Sequence, residues 1–201
     1  MEVLDTEQEK VNHSILLKRG SFRIVLISTF TALAIVLAYI LWYIPNIELF
    51  TLTIFLSGFI LGKRDGIIIG LLSSFIFCSF HPLGASPLPL LIFQIISYSL
   101  TGLIGALTNE YFKNKRFFKP NDDLYVLSVI VVFGVLGILI TLNFQILSTL
   151  GYTLSFFGTI NVFLPVFLTN IAFTVIHIIG NTLGFIFILP GLIQLINRML
   201  H

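Results

Sequence analysis

Long apolar stretches alternate with short polar breaks along the whole chain. A helix needs about 20 consecutive apolar residues to cross the hydrocarbon core of a bilayer. The pattern therefore predicts an all-α integral membrane protein, a six-transmembrane-helix bundle over residues 21–197, between a polar tail (1–20) and a short end (198–201). The predicted spans cover residues 21–44, 49–62, 67–80, 90–108, 124–142 and 161–189.

A charged break, residues 63–66 (KRDG), separates the second and third spans. Each charge at the bilayer centre would cost roughly 2.5–3.5 kcal/mol, so the break is predicted at the membrane surface, between two unusually short spans. Gly58, Gly62, Gly66 and Gly70 recur every four residues across this break. Small residues at this spacing let helix backbones approach closely, so we expect tight packing here.

Two further breaks delimit the last two spans. Residues 143–160 are polar and uncharged, and they are predicted to connect the fifth span to the sixth. Pro190, followed by Gly191, is predicted to end the sixth span. The reason is that proline lacks the N–H group that continues the hydrogen-bond ladder of a helix.

The sixth predicted span carries a stripe of polar residues: Asn170, Thr174, His177 and Asn181. Their spacing of four, three and four places them on one face of a helix. Polar groups facing lipid without a partner are costly, so the stripe is predicted to face inward. Two interpretations remain open: hydrogen bonds between helices alone, worth about 0.6 kcal/mol each, or contact with a bound ligand.

Composition and charge agree with a membrane protein. Hydrophobic residues make up 57% of the chain and charged residues 10%, whereas soluble domains carry about 25% charged residues. The lysines and arginines all fall on the side of the predicted bundle that holds the termini, and the positive-inside rule then makes both termini cytoplasmic. Because the basic residues form no patch, nucleic acid is not expected as a partner.

The motifs of common enzymes are absent from the sequence. It contains no GxSxG, no HExxH and no Walker lysine loop. Its single cysteine, Cys78, excludes a CxxC metal site. The polar residues within the spans are mostly neutral, which suits neither a proton relay nor an ion filter. We therefore expect a non-enzyme without metal or other cofactor, whose polar groups hydrogen-bond a neutral or zwitterionic molecule.

Candidate binding residues gather mainly towards the outer ends of the predicted spans, where aromatic faces and a few directed polar groups suit a small-molecule pocket. The candidates are Trp42, Tyr43, Asn46, Glu48, His81, Gln94, Tyr98, Asn143, Asn170, Thr174 and His177. Other interpretations stand beside this one. Trp42 and Tyr43 could instead belong to an aromatic belt at the membrane interface. Glu48 could be a solvated acid in a loop, and His177 could be a structural histidine.

Several short motifs resemble those of a known family: residues 44–48 (IPNIE), 59–62 (FILG), 67–70 (IIIG) and 81–84 (HPLG), together with Gln94. On these motifs the chain resembles the substrate-binding (S) component of an energy-coupling factor (ECF) transporter. The resemblance implies six spans with cytoplasmic termini in a prokaryotic plasma membrane. It also implies a pocket that is open to the outside and captures a vitamin-like micronutrient.

Partners are implied by the same resemblance: a transmembrane coupling (T) protein and two cytoplasmic ATPase subunits. S components pack on the T protein through small residues four positions apart on the first span, and Ala34 with Ala38 matches this pattern. Ser28 with Ala32 has the same spacing and is a rival pair. The physical basis is the close approach that small side chains permit.

A second hypothesis is a structural scaffold resembling MreD, the shape-determining membrane protein, which has a similar size and span count. Its polar stripes would serve only helix packing. A cavity lined by Gln94 and Asn170 would favour ligand capture, whereas a dry, filled bundle would favour the scaffold.

Overall fold

The computed structural model of this protein describes residues 20–44, 47–113, 115, 118 and 123–200, and every regular element within them is helical. The predicted tail 1–20 lies almost wholly outside this part of the chain, as does Asn46. The helices are α1 Gly20–Leu41, α2 Phe50–Leu61, α3 Lys63–Ser79, α4 Leu88–Lys113, α5 Leu127–Phe157, α6 Phe163–Thr169, α7 Ile171–Leu183, a π-helical segment Gly184–Ile188 and α8 Leu189–Leu200.

Helix length separates the predicted spans into two groups. Within the described ranges, α1, α4, α5 and the continuous stretch Ile171–Arg198 are long and apolar enough to cross a membrane. The helix α2 has 12 residues and α3 has 17, as the short predicted spans required. The all-helical membrane character is therefore confirmed, while the count of six spans and the side of the termini stay predictions.

The short helix α2 forms the centre of the bundle. The side chains from Phe50 to Phe59 are all buried, because α2 is apolar on every face and packs against α1, α3 and α4. Phe55 lies 5.0 Å from Phe185 between ring centroids, and its ring also meets Phe133 edge-on. An aromatic core thus holds α2 against α5 and the π-helical segment.

Glycines bring α2, α3 and α4 into backbone contact. A Cβ atom added at Gly58 would overlap the carbonyl oxygen of Gly102, and one added at Gly66 would come within 2.6 Å of the Gly58 Cα. The turn between α2 and α3 is Gly62, whose φ of 94° favours glycine. The predicted close packing is confirmed, with α4 as a third partner through Gly102.

Residues 63–65, which belong to the break predicted between the two short spans, form the first turn of α3. Asp65 is buried and binds Arg23 of α1 at 2.7 Å, while Lys63 binds Glu110 of α4 at 2.9 Å. A carboxylate in a first helical turn is favoured by the helix dipole. These pairs bring charged ends of α1, α3 and α4 together at one end of the bundle.

The connection predicted at 143–160 is wrong, because α5 continues as a helix to Phe157. Its polar residues do not end the helix, since Asn143 donates to Ser97 and Gln145 bonds His177 on neighbouring helices. The helix ends instead at Gly158, whose left-handed conformation is typical of a helix C-terminus. The 31-residue helix is about 46 Å long.

The sixth predicted span is also divided differently. It breaks at Asn170, between α6 and α7, and it continues past Pro190 into α8 instead of ending there. The π-helical segment lies directly before Pro190, and Leu189 N–H bonds the Gly184 carbonyl across its wider turn. A wide turn accommodates the disturbance that a proline causes in the ladder.

Candidate ligand-binding site

Three side chains from separate elements form a hydrogen-bonded chain inside the bundle. Glu48 precedes α2, His177 lies on α7 and Gln145 lies on α5. The His177 ring places Nε2 3.1 Å from Glu48 Oε1 and Nδ1 2.8 Å from Gln145 Nε2. The Thr51 hydroxyl also donates to Glu48 Oε1. The polar start of α2 is thereby connected to α5 and α7.

The stripe predicted on the sixth span faces inward for three of its members: Thr174, His177 and Asn181 are at most 4% exposed. Asn181 donates to Thr141 Oγ1 of α5 at 3.0 Å. The hydroxyl of Thr174 donates to the Asn170 carbonyl at 3.2 Å, across the helix break. The fourth member, Asn170, is exposed and donates to the Val166 carbonyl.

A smaller cavity of about 210 Å³ lies beside Glu48. Its walls come from the end of α1, the connections around α2 and α3, and the facing sides of α4, α5 and α7. Aromatic side chains Trp42, Phe77 and Phe144 form part of these walls. The polar lining consists of Glu48, Cys78, His81, Ser86, Gln94, Tyr98 and His177. Burial lowers the pKa of His81 below its ordinary value, which favours the neutral form of the ring.

A larger cavity of about 420 Å³ lies between α4, α5 and the α6–α7 break. This volume is within the range of about 300–1,000 Å³ that small-molecule sites occupy. Its polar lining is neutral and consists of Gln94, Gln145, Ser148, Thr149, Tyr152 and Asn170. Amides and hydroxyls of this kind can both donate and accept hydrogen bonds.

The two cavities adjoin at Gln94 and Phe144, which line both of them. The Gln94 Oε1 atom is buried and has no hydrogen-bond partner among the described residues, and the same holds for Ser148 Oγ. Buried polar atoms normally have partners, because leaving one unpaired costs about 1–3 kcal/mol. Gln94 and Ser148 therefore each carry an unpaired polar atom in a residue that lines a cavity.

The structure brings most of the predicted site residues to these cavities. Trp42, Glu48, His81, Tyr98 and His177 line the smaller cavity. Gln94 lines both, and Asn170 lines the larger one.

Three other predicted residues lie apart from the cavity linings. The Asn143 side chain donates a hydrogen bond to the Ser97 hydroxyl, and the Thr174 hydroxyl donates to the Asn170 carbonyl. Tyr43 is 66% exposed on the outside of the bundle.

Sequence reasoning missed the contribution of α5. Phe144, Ser148 and Tyr152 recur every four residues, and Gln145 with Thr149 adds a neighbouring row. This spacing marks one helix face, whereas the polar composition of the segment indicates a connection between spans. Recognising the helical period in these residues would have added them to the candidate site.

The predicted partner-facing pair on α1 needs correction. Ala34 and Ala38 are 0% and 4% exposed, and they pack in a cluster with Phe50 and Tyr98. No other protein can contact them in this arrangement. Ser28 and Ala32, the rival pair, are exposed.

Among the described residues, no three His, Cys, Asp or Glu side chains gather closely enough to hold a metal ion. The site therefore offers hydrogen bonds, one carboxylate and aromatic faces. Such groups can bind and orient a small polar molecule without further chemistry.

A family model described as "ECF transporter, substrate-specific component" matches residues 22–200, which include every residue that lines the two cavities. The chain belongs to this family. The resemblance inferred from the short motifs is thus confirmed. No curated protein and no solved structure matches the chain.

As an ECF substrate-specific component, the protein is a substrate-binding subunit of a transporter rather than a member of an enzyme family. Its apolar helices place it in a membrane. Proteins of this family associate there with a T protein and ATPases. The two adjoining cavities are the candidate place where such a subunit holds its substrate.

Proposed function

We propose that this S component captures a vitamin-like micronutrient from the extracellular side and presents it to an ATP-driven import module. The adjoining cavities carry this proposal. They offer an unpaired Gln94 oxygen, several neutral hydrogen-bonding groups and aromatic walls in one place. A small polar molecule with a ring would satisfy these groups together.

The scaffold alternative is less well supported by the packing. A scaffold needs a filled bundle, whereas the space between α4, α5 and the α6–α7 break is a cavity lined by both Gln94 and Asn170. Unpaired polar atoms facing that space would be a cost without benefit in a structural protein.

The charged end of the bundle supports an orientation for the chain. Arg23, Lys63 and Lys113 lie at this end, where α1 and α3 begin and α4 ends, while Glu48 lies beyond the opposite end of α1. By the positive-inside rule the charged end faces the cytoplasm of a prokaryotic cell. The cavities then open towards the outside, and α2 and α3 complete a six-span, multi-pass fold.

The energising partners of this proposal are a T protein in the plasma membrane and two cytoplasmic ATPase subunits. Ser28 and Ala32 form the surface of α1 that we assign to the T protein, because both are small, exposed and four residues apart. Small residues permit the close helix contact on which association in a membrane depends.

Binding of a panel of micronutrients to the purified protein tests the capture function. For the compound that binds, Gln94→Leu and Asn170→Leu are expected to raise Kd about tenfold or more, because each removes a hydrogen-bonding group from a cavity wall. Asn161→Leu is the matched control, since Asn161 is exposed and lines neither cavity. Equal Kd values for all three variants would show that the binding site does not include Gln94 and Asn170.

A further inference from the structure

Charge is distributed very unevenly around the two cavities. Glu48 is the one acidic side chain in their described linings, and neither lining contains a lysine or an arginine. The neutral form of His81 is favoured, because its Nδ1 accepts from the Leu83 N–H at 3.2 Å and burial lowers the pKa of the ring. The site therefore offers one negative charge and no fixed positive charge.

His177 orients the carboxylate of Glu48. Its Nε2 atom lies 3.1 Å from Glu48 Oε1, and its Nδ1 atom lies 2.8 Å from Gln145 Nε2. The Thr51 hydroxyl donates to the same carboxylate oxygen. The Asn181 amide nitrogen, also 3.1 Å from His177 Nε2, donates to Thr141. Glu48 is thus the acidic group of the site, and its neighbours hold it in place.

Both members of this pair line the smaller cavity, and Glu48 is the more exposed of the two. Its side chain is 18% exposed, against 5% for His177. Aromatic rings stand around the same space: Tyr98 and Phe144 lie 4.9 Å apart between centroids, and Trp42 lines the wall. A carboxylate together with aromatic faces stabilises a cation by ion pairing and by cation–π attraction.

The junction imposes a second requirement on the ligand. Gln94 Oε1 is a buried acceptor without a partner, so it is satisfied by a donor rather than by another oxygen. A carboxylate or phosphate placed in either cavity would lose its hydration and find no cationic partner, while Glu48 would repel it.

We propose that the site selects a small organic cation, an inference that rests on the capture function proposed above. A protonated or quaternary nitrogen lies beside Glu48 in the smaller cavity, and an uncharged part that bears an N–H or O–H donor extends past Gln94 into the larger cavity. Compounds that carry a net negative charge are rejected.

A competition among compounds of different charge tests this selectivity with the unmodified protein. The purified protein is incubated with an equimolar mixture of thiamine, pyridoxamine and choline as cations, riboflavin and nicotinamide as neutral compounds, and biotin, pantothenate and nicotinate as anions. After washing, heat releases the bound compound for mass spectrometry. A cation is expected to be retained in at least tenfold excess over every anion.

The outcomes separate this inference from the function on which it rests. Retention of biotin, pantothenate or nicotinate, or of a neutral compound in preference to every cation, would overturn the charge selectivity and leave capture standing. Retention of nothing would overturn the capture function itself.

A charge-removing variant locates the selectivity at Glu48. Glu48→Gln is expected to raise the Kd of the retained cation at least tenfold, whereas Glu110→Gln is expected to leave it unchanged, because Glu110 pairs with Lys63 at the charged end of the bundle. An unchanged Kd for Glu48→Gln would contradict the assignment. If this variant does not fold, the competition experiment with the unmodified protein still tests the charge selectivity.

Discussion

His177 lies between two polar side chains, since Gln145 Nε2 is 2.8 Å from one of its ring nitrogens and Glu48 Oε1 is 3.1 Å from the other. The ring therefore connects the wall of the larger cavity, where Gln145 lies, with the acid of the smaller one. The sequence allowed two interpretations of His177, as a structural residue and as a ligand-binding residue, and its position is compatible with both. It is structural in its hydrogen bonds, and it also lines the smaller cavity.

Removing the donor on one side of His177 should destabilise the protein. In Gln145→Leu the buried Nδ1 atom loses its partner, and such an unpaired group costs about 1–3 kcal/mol. We expect a lower midpoint of thermal unfolding in detergent than for the unmodified protein. The exposed control Asn161→Leu should unfold at the original temperature, and equal midpoints for both variants would show that the Gln145 bond contributes nothing.

Sequence patterns predicted several of the residues that line the cavities, but not those that α5 contributes. The stripe of the sixth predicted span could be read directly, because its three- and four-residue spacing belongs to one helix face. The amides of Asn143 and Gln145 are typical of a loop, so they predicted a connection where the structure has a helix. Their hydrogen-bond partners, Ser97 and His177, are distant in sequence and could not be inferred from local pattern.

The contact among α2, α3 and α4 is governed by glycines at the scale of whole elements. The four-residue repeat in α2 and α3 predicted close packing, and the structure shows Gly58, Gly66 and Gly102 in mutual backbone contact. The third glycine could not be assigned from the repeat, because it belongs to a helix some 40 residues later in the chain.

A single methyl group should disrupt this contact. In Gly58→Ala the new Cβ overlaps the Gly102 carbonyl oxygen, and overpacking of this kind costs about 1–3 kcal/mol. Gly20→Ala is the control, because no atom lies within 4 Å of the added Cβ. Thermal unfolding in detergent should show a lower midpoint for Gly58→Ala alone. A midpoint equal to that of Gly20→Ala would contradict the packing.

The sequence also could not predict which face of α1 packs against the rest of the bundle. Two pairs of small residues on α1 share the same spacing, and local pattern gives no reason to choose between them. The choice follows from tertiary packing, because Phe50 and Tyr98 cover Ala34 and Ala38 and leave Ser28 and Ala32 exposed.

At the scale of the whole molecule, the surfaces that we propose for binding and for coupling are different. The cavities lie towards the end of the bundle that holds Glu48. Ser28 lies in the half of α1 that begins at the charged end, and Ala32 lies one turn further along, near the middle of the helix. Neither residue lines a cavity. A change at Ala32 should therefore affect transport without affecting capture.

Ala32→Trp tests this separation. The bulky ring prevents the close approach that small residues allow, so uptake of the captured compound should fall at least tenfold, while its Kd for the purified protein stays the same. Val135→Trp, at an exposed position of α5, is the matched control and should preserve both. Uptake is measured with radiolabelled compound in cells that also express the T protein and ATPase subunits. Equal uptake by both variants would remove Ser28 and Ala32 as the docking surface, whereas a loss of binding in Ala32→Trp would show that capture and coupling share one surface.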